Sequence, residues 1–232
     1  MSERPTETLA REAGERLRGA VQEIKPRLRG WLHAATAPLA FFSFVVMLVL
    51  ADDPLVRVGA AVFMISSLLL FVVSALYHTG RWSKPAYEVW KRFDHANIFL
   101  LIAGSYTPFS LLLLTHAHAA VMLGLVWGGA LLGMVFRIFW VGAPRWLYVP
   151  LYLVLGWAAV IYFPEFAREA PTSVLVLMIV GGGLYSLGAV VYGFKWPDPS
   201  PKWFGFHEVF HLFTIAAFVV HYVGVSLLAY TR

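Results

Sequence analysis

The chain has 232 residues, of which 59% are hydrophobic and 13% are charged, and its formal net charge is +5 at pH 7. Soluble domains carry about 25% charged residues, so this composition excludes an ordinary soluble domain and indicates a protein embedded in a membrane. The chain contains no cysteine, which excludes disulfide bonds and leaves His, Asp, Glu or water as the ligands of any metal.

Residues 1–31 form a polar segment with seven Lys/Arg and five Asp/Glu. Apolar residues recur at helical spacing within it, namely Leu9, Ala13, Leu17, Val21, Ile24 and Leu28. This pattern predicts an amphipathic helix that lies on the membrane surface. The alternative is a frayed, solvated tail.

Seven apolar stretches follow, and each is close to the ~20 residues that a helix needs to cross a bilayer. They lie at about 32–50, 56–78, 95–114, 118–136, 146–163, 172–194 and 206–229. Because the connections are short, consecutive helices are expected to pack as antiparallel neighbours. The sequence therefore predicts an all-α membrane protein, with a cytoplasmic N-terminal tail over 1–31 and a seven-helix transmembrane bundle over 32–232.

Proline and glycine predict where these helices bend and approach one another. Pro38, Pro108 and Pro150 fall inside or at the ends of spans and predict kinks. Two pairs of glycines four residues apart lie in the fourth span, at 124 and 128 and at 129 and 133. Small residues at this spacing predict close helix approach, with ordinary glycine usage in membranes as the alternative.

The distribution of basic residues predicts the orientation. Of the 18 Lys/Arg, fifteen fall in the tail and in every second loop after it, and three fall on the other side. Cytoplasmic loops of membrane proteins are enriched in Lys and Arg, so the N-terminus is expected in the cytoplasm and the C-terminus outside. The basic excess therefore marks one membrane face and not a nucleic-acid site.

Polar side chains gather at the predicted cytoplasmic ends of the second and third spans. His78 ends the second span, Ser74 lies one helical turn before it, and Asp94 begins the third. Residues four apart share a helix face, so Ser74 and His78 lie on one side of their helix. Each residue has a simpler alternative: His78 as an anchor at the interface, Asp94 as a helix N-cap, and Ser74 bonded to its own backbone.

His207 and His211 begin the seventh span and are also four residues apart, a spacing that zinc sites use. Anchoring at the headgroups is the alternative for such a pair. Together with His78 they supply three imidazoles from two helices, which predicts a zinc site with an open fourth position. An open position that holds water is the catalytic pattern. Asp94 can then position or deprotonate that water, and Ser74 can donate a hydrogen bond.

The stretch His207-Glu-Val-Phe-His211 also fits a metalloprotease motif, in which Glu208 is the general base. We consider this hypothesis weaker, because Glu208 points about 100° away from His207 on a helix and is expected to face the cytoplasm. The remaining histidines have no predicted part in the site. His95 is expected to point away from Asp94, His116 and His118 to lie across the membrane, and His33 and His221 to have no partner.

Four motifs together resemble the haemolysin III family, the bacterial branch of the progestin and adiponectin receptor (PAQR) family. They are Ser74-Ala-Leu-Tyr-His78, Asp94-His-Ala-Asn-Ile98, Ala103-Gly-Ser-Tyr-Thr-Pro108 and His207-Glu-Val-Phe-His211. The resemblance covers all seven spans, roughly residues 30–230. It implies a bacterial inner-membrane protein with a Zn²⁺ site near the cytoplasmic face, built by Ser74, His78, Asp94, His207 and His211.

Three functions are compatible with this resemblance. The wider superfamily includes alkaline ceramidases, so the first hypothesis is a zinc hydrolase of a lipid amide or ester, with a ceramide-like or fatty-acyl substrate that enters from the bilayer. Its metal ligands would be His78, His207 and His211, and its catalytic groups Asp94 and Ser74. The second is a sensor of membrane state with structural zinc. The third, suggested by the family name, is a pore, but the outer parts of the spans carry few polar residues.

Overall fold

The computed structural model describes Pro26 and residues 28–230. Those residues form eight α-helices and one short 3-10 segment. In chain order they are α1 (Trp31–Leu50), α2 (Pro54–Thr79), α3 (Lys84–Leu113), α4 (His116–Phe139), α5 (Arg145–Gly156), the 3-10 segment (Ala158–Tyr162), α6 (Phe163–Glu169), α7 (Thr172–Phe194) and α8 (Phe206–Tyr230). The amphipathic helix predicted over 1–31 lies almost wholly outside the described residues.

Among the described residues, seven helical segments are long and apolar enough to cross a membrane. Six are single helices, and the fifth span, Arg145–Glu169, combines α5, the 3-10 segment and α6. The prediction of a seven-helix, all-α membrane protein is therefore confirmed. We call the end at which α1, α3, α5 and α8 begin the basic end. Its assignment to the cytoplasm stays a prediction from the distribution of Lys and Arg.

The third span differs most from its prediction, because α3 begins at Lys84 and not near residue 95. Pro85 lies in its first turn, where the missing N–H of proline costs no helical hydrogen bond. The 30-residue helix is about 45 Å long and exceeds the ~30 Å hydrocarbon core. Asp94 consequently lies inside α3, and the alternative that it is a helix N-cap is wrong.

Span α3 occupies the centre of the bundle, between α2 and α4, and is the most buried of the seven. Its contact with α2 is close because a Cβ on Gly59 would lie 2.8 Å from Pro108 Cα, and a Cβ on Gly104 would collide with Ser66. Small residues permit such packing in membranes. The close approach predicted at Gly124 and Gly128 is wrong, since no described atom lies within 4 Å of a Cβ built there.

The fifth span is broken at Gly156, although a continuous helix over 146–163 was predicted. Backbone groups left unpaired in a membrane are costly, and one side chain satisfies two of them here. The Tyr106 hydroxyl of α3 donates to Gly156 O at 2.6 Å and accepts from Ala159 N at 2.9 Å. Pro150 lies within α5, six residues before the break, so the break does not coincide with the predicted proline kink.

Candidate metal centre

Three histidines meet at the basic end of the bundle. His78 lies in the last turn of α2, and His207 and His211 lie in the first two turns of α8. One ring nitrogen from each histidine lies within 4.8 Å of the others. His78 and His211 are buried and His207 is half-buried. The structure therefore brings together the three imidazoles that the sequence singled out, and these nitrogens could hold a metal ion.

The separation of these nitrogens matches a small tetrahedral site. His78 Nε2 and His207 Nε2 are 3.3 Å apart. Two nitrogens that each lie 2.0–2.1 Å from a tetrahedral zinc ion are about 3.3 Å apart. The donor set also suits zinc, because neutral imidazoles are good ligands for this metal and three of them leave a fourth position open. The residues present thus fit the metal that the resemblance implies.

Asp94 and Ser74 lie at the same point of the bundle. Asp94 Oδ2 is 3.9 Å from His78 Nε2, and the Asp94 side chain is 11% exposed. The buried Ser74 hydroxyl lies beside this carboxylate, yet it makes no hydrogen bond of normal geometry to any described residue. The alternative that Ser74 bonds to its own helix backbone is therefore wrong. Both polar groups face the space next to the three histidines.

A long cavity of about 190 Å³ begins at this cluster. Its walls include His207 near one end and His221 near the other, and these residues are about 21 Å apart along α8 at 1.5 Å per residue. Most of the wall between them is aliphatic or aromatic. Trp157 and Val160 of the fifth span and Ile179 of α7 line the cavity although each is more than half exposed. The cavity therefore reaches the bundle surface between the fifth and sixth spans.

A family model described as haemolysin-III related matches residues 21–222. This chain belongs to the haemolysin III family. The match covers all but the last turns of the seventh span and includes every residue of the histidine cluster. The resemblance stated from the four sequence motifs is thereby confirmed, and the chain is a multi-pass membrane protein.

Relatives occur in bacteria and in animals. The chain is 37% identical to the hemolysin-3 homolog of Bacillus subtilis (strain 168) over 140 residues, which is 60% of this chain and 64% of that protein. It is 30% identical to hemolysin-3 of Bacillus cereus over 158 residues, which is 68% and 69% of the two chains. The adiponectin receptor protein of Drosophila melanogaster is 29% identical over 192 residues, which is 73% of this chain and 42% of that receptor. The chain thus spans just under two thirds of the B. subtilis relative.

Two further histidines of this haemolysin III protein line the same cavity. His33 of α1 is buried, and its ring stacks on that of His211 at 3.9 Å with an interplanar angle of 14°. His95 Nδ1 lies 2.7 Å from Lys91 O and 3.7 Å from Asp94 Oδ2, so the prediction that His95 points away is wrong. His33 was missed although its position at the start of the first span, at the basic end, was a usable signal.

The prediction that Glu208 faces the cytoplasm is wrong, because this residue lies inside the protein. Its side chain is fully buried, and Arg29 Nε donates to Glu208 Oε1 at 2.8 Å. The backbone N–H of Gly205 donates to the other carboxylate oxygen, also at 2.8 Å. An acid three residues into a helix that reaches back to the preceding backbone is a capping arrangement. With both oxygens occupied, Glu208 is placed as a structural group and not as a general base.

The chain just before α1 crosses over the ligand-bearing helices. Leu28 N donates to Trp203 O in the loop that leads to α8. Gly30 has φ = 86°, and a Cβ at this position would lie 2.6 Å from His78 Cβ. Only glycine adopts this backbone readily and leaves room for the histidine. The Arg29–Glu208 ion pair and Gly30 together hold this segment against the end of α2 and the start of α8.

Replacing Glu208 with Gln is expected to lower the stability of the protein while leaving the histidine cluster intact. The change removes a partly buried, charge-assisted hydrogen bond. Such a bond is worth roughly 1.5–3 kcal/mol, which corresponds to a fall in melting temperature of roughly 3–12 °C. Thermal melting of the purified protein measures the effect. Glu88→Gln is the control, because Glu88 is exposed and lies 3.9 Å from Lys91. Equal melting temperatures for the two variants would contradict the assigned role of Glu208.

The two histidines that were expected to lie across the membrane from the cluster are found at the opposite end of the bundle. His116 begins α4, and His118 Nδ1 contacts a carboxylate oxygen of Glu165 in α6. The second oxygen of Glu165 accepts from Thr115 N at 2.7 Å. This arrangement ties the start of α4 to α6 and has no part in the histidine cluster.

Proposed function

We propose that this protein is a zinc-dependent hydrolase of lipid amides or esters in the bacterial inner membrane. One observation carries the proposal. The Asp94 carboxylate and three imidazoles meet beside the end of a long, mostly apolar cavity that is open between two spans, and Asp94, His207 and His211 line its wall. Such a cavity suits the hydrocarbon chain of a lipid, and such a polar cluster suits the bond that joins the chain to its headgroup.

His78, His207 and His211 would hold the metal through one nitrogen each. A zinc ion at this point supplies Lewis-acid polarisation of a carbonyl and activates water for attack. A substrate carbonyl would enter from the side on which Asp94 and Ser74 line the cavity. The surrounding bundle keeps bulk water away and thereby strengthens the electrostatic interactions within the site.

Asp94 would transfer the proton, and Ser74 would orient the reacting carbonyl group. The Asp94 carboxylate accepts a proton from the attacking water and returns it to the leaving amine or alcohol, which is general acid–base catalysis. The Ser74 hydroxyl lies beside the Asp94 carboxylate and would donate a hydrogen bond to the reacting carbonyl oxygen. Both roles use groups that lie within the cavity wall.

The lipid would enter sideways, between the fifth and sixth spans. The side chains at this opening are exposed to the bilayer, and one hydrogen bond crosses it, from Trp157 Nε1 to Ser186 Oγ at 3.0 Å. α5 and α7 also meet at the basic end, where Arg145 Nη1 donates to Tyr192 O at 3.0 Å and the hydroxyls of Tyr148 and Tyr192 are 3.2 Å apart. A substrate already dissolved in the membrane thus reaches the cavity without passing through water.

A membrane sensor with structural zinc is the second candidate, and the positions of the ligands favour it. The three histidines come from α2 and α8, so a metal would clamp the second span to the seventh. A pore is disfavoured, because the cavity walls are mostly apolar.

Removal of the metal tests the proposal directly. The purified protein is expected to contain about one zinc per chain and to hydrolyse at least one member of a panel of ceramides and acyl esters in mixed micelles. Treatment with a chelator should abolish this hydrolysis, and added zinc should restore it. If the zinc-loaded protein hydrolyses no lipid amide or ester, the hydrolase proposal is wrong and the sensor is the better interpretation.

A further inference from the structure

Buried polar atoms without a partner are concentrated on the cavity walls. Among the described residues, eight buried side-chain nitrogen or oxygen atoms lack a hydrogen-bond partner, and six of them belong to residues that line the cavity. Four of the six, on His33, Ser74 and His211, surround the metal centre. The other two are the Tyr185 hydroxyl and His221 Nδ1, which lie far from it. Native proteins leave few such atoms unsatisfied, so we expect both groups to bind a polar partner within the cavity.

Tyr185 of α7 and His221 of α8 form a separate polar pair. Their ring centroids are 5.6 Å apart, and His221 is about 21 Å from His207 along α8. Gly181 creates the room for this arrangement, because a Cβ at that position would collide with the His221 ring. The wall between the pair and the metal centre includes Ile98, Ile102 and Phe210, and the Thr214 hydroxyl there is bonded to Phe210 O. The two polar levels are therefore separated by a mostly apolar stretch.

The hydrogen bonding of His221 defines what this pair can bind. His221 Nε2 lies 3.3 Å from Met178 O. A carbonyl oxygen can only accept, so Nε2 carries the proton, and in the neutral ring Nδ1 is then an acceptor. The Tyr185 hydroxyl can donate or accept. A group that both donates to Nδ1 and accepts from the tyrosine satisfies the pair, and an alcohol hydroxyl does both.

We propose that Tyr185 and His221 form a second polar subsite, which binds a hydroxyl group on the hydrocarbon chain of the lipid held in the cavity. This inference deepens the proposed function and rests on it for the identity of the occupant as a lipid. The preferred substrates are then long-chain lipids that carry a hydroxyl far from the bond at the metal centre. An unsubstituted chain would leave both polar atoms unpaired in an apolar wall, which is unfavourable.

Binding to the full-length protein in detergent tests the subsite without any turnover. The probes are ω-hydroxy fatty acids of graded chain length and the unsubstituted acids of the same lengths, and each is measured by displacement of a fluorescent fatty acid. The hydroxylated acid should bind about 3- to 10-fold more tightly than its counterpart, and only near the chain length that places the hydroxyl at Tyr185. A wild-type protein with no such preference at any length would overturn the proposal and leave water as the partner of these atoms.

Two substitutions test whether Tyr185 and His221 cause the preference for the hydroxylated acid. Tyr185→Phe removes only a hydroxyl, and His221→Phe keeps a ring while removing Nδ1; each should abolish the preference and leave the affinity for the unsubstituted acid nearly unchanged. Tyr222→Phe is the control, because its hydroxyl is bonded to Ser43 O at 2.8 Å and Tyr222 does not line the cavity. A preference that survives in both variants would also overturn the proposal. Zinc content and lipid turnover are measured separately, so a failed hydrolase proposal is distinguishable from a failed subsite.

Discussion

Asp94→Asn is expected to abolish the proposed lipid hydrolysis while the proposed zinc site stays loaded. Asparagine keeps the size and much of the hydrogen bonding of the side chain but removes the charge that would accept a proton from water. General base catalysis contributes about 10²–10⁴-fold in rate, and the loss should be of that order. None of the three histidine nitrogens is altered, and Asp94 Oδ2 is 3.9 Å from His78 Nε2, so zinc content should remain near that of the wild type.

The matched control for this result is Glu208→Gln, which neutralises the other buried acid near the cluster. Glu208 is bonded to Arg29 and to Gly205 N, so its loss should reduce stability and leave the rate per folded, zinc-loaded molecule nearly unchanged. The measurement is initial rate against zinc content for each variant. If Glu208→Gln is inactive and Asp94→Asn is not, the protease-type motif is the working one and the role of Asp94 is wrong.

The double change His207→Ala and His211→Ala is expected to empty the metal centre. It removes two of the three nitrogens that meet within 4.8 Å, and one remaining imidazole is a weak ligand set for zinc. A ligand that binds only the folded state stabilises it by about 2.7 kcal/mol when its free concentration is a hundredfold above Kd. The variant should therefore also lose the rise in melting temperature that added zinc gives the wild type.

Metal content by elemental analysis measures the first effect, and thermal melting with and without zinc measures the second. The control is His116→Ala with His118→Ala, which removes two histidines from the opposite end of the bundle. It should disturb the contact with Glu165 and yet retain about one zinc per chain. Normal zinc content in the His207 and His211 variant would show that the metal centre has been misplaced.

The seven spans were predictable because each crossing segment must be long and apolar, a property of consecutive residues. The start of α3 was missed because the ten residues from Lys84 to Phe93 are amphipathic and do not form a continuous apolar run. The break at Gly156 could not be foreseen. It depends on Tyr106, which is 50 residues away and supplies the hydrogen bonds that the helix gives up.

The candidate site was likewise predictable only in part. Helical spacing and the shared end of the bundle predicted that Ser74, His78, Asp94, His207 and His211 would meet, and the structure brings them together. The partner of Glu208 was not predictable, because Arg29 is 179 residues away and lies in a polar segment. His221 was likewise set aside, since a lone histidine in an apolar helix gives no hint of the Tyr185 ring beside it.

The broken fifth span also constrains the order in which this protein is assembled. A helix that inserts into lipid alone has all its backbone groups paired, but this span does not, because Gly156 O and Ala159 N are both bonded to the Tyr106 hydroxyl of α3. Before it docks, the span must either remain a continuous helix or face lipid with two unpaired groups. The span therefore acquires its final shape only when the third span is already in place. Tyr106, which supplies these hydrogen bonds, also lines the cavity.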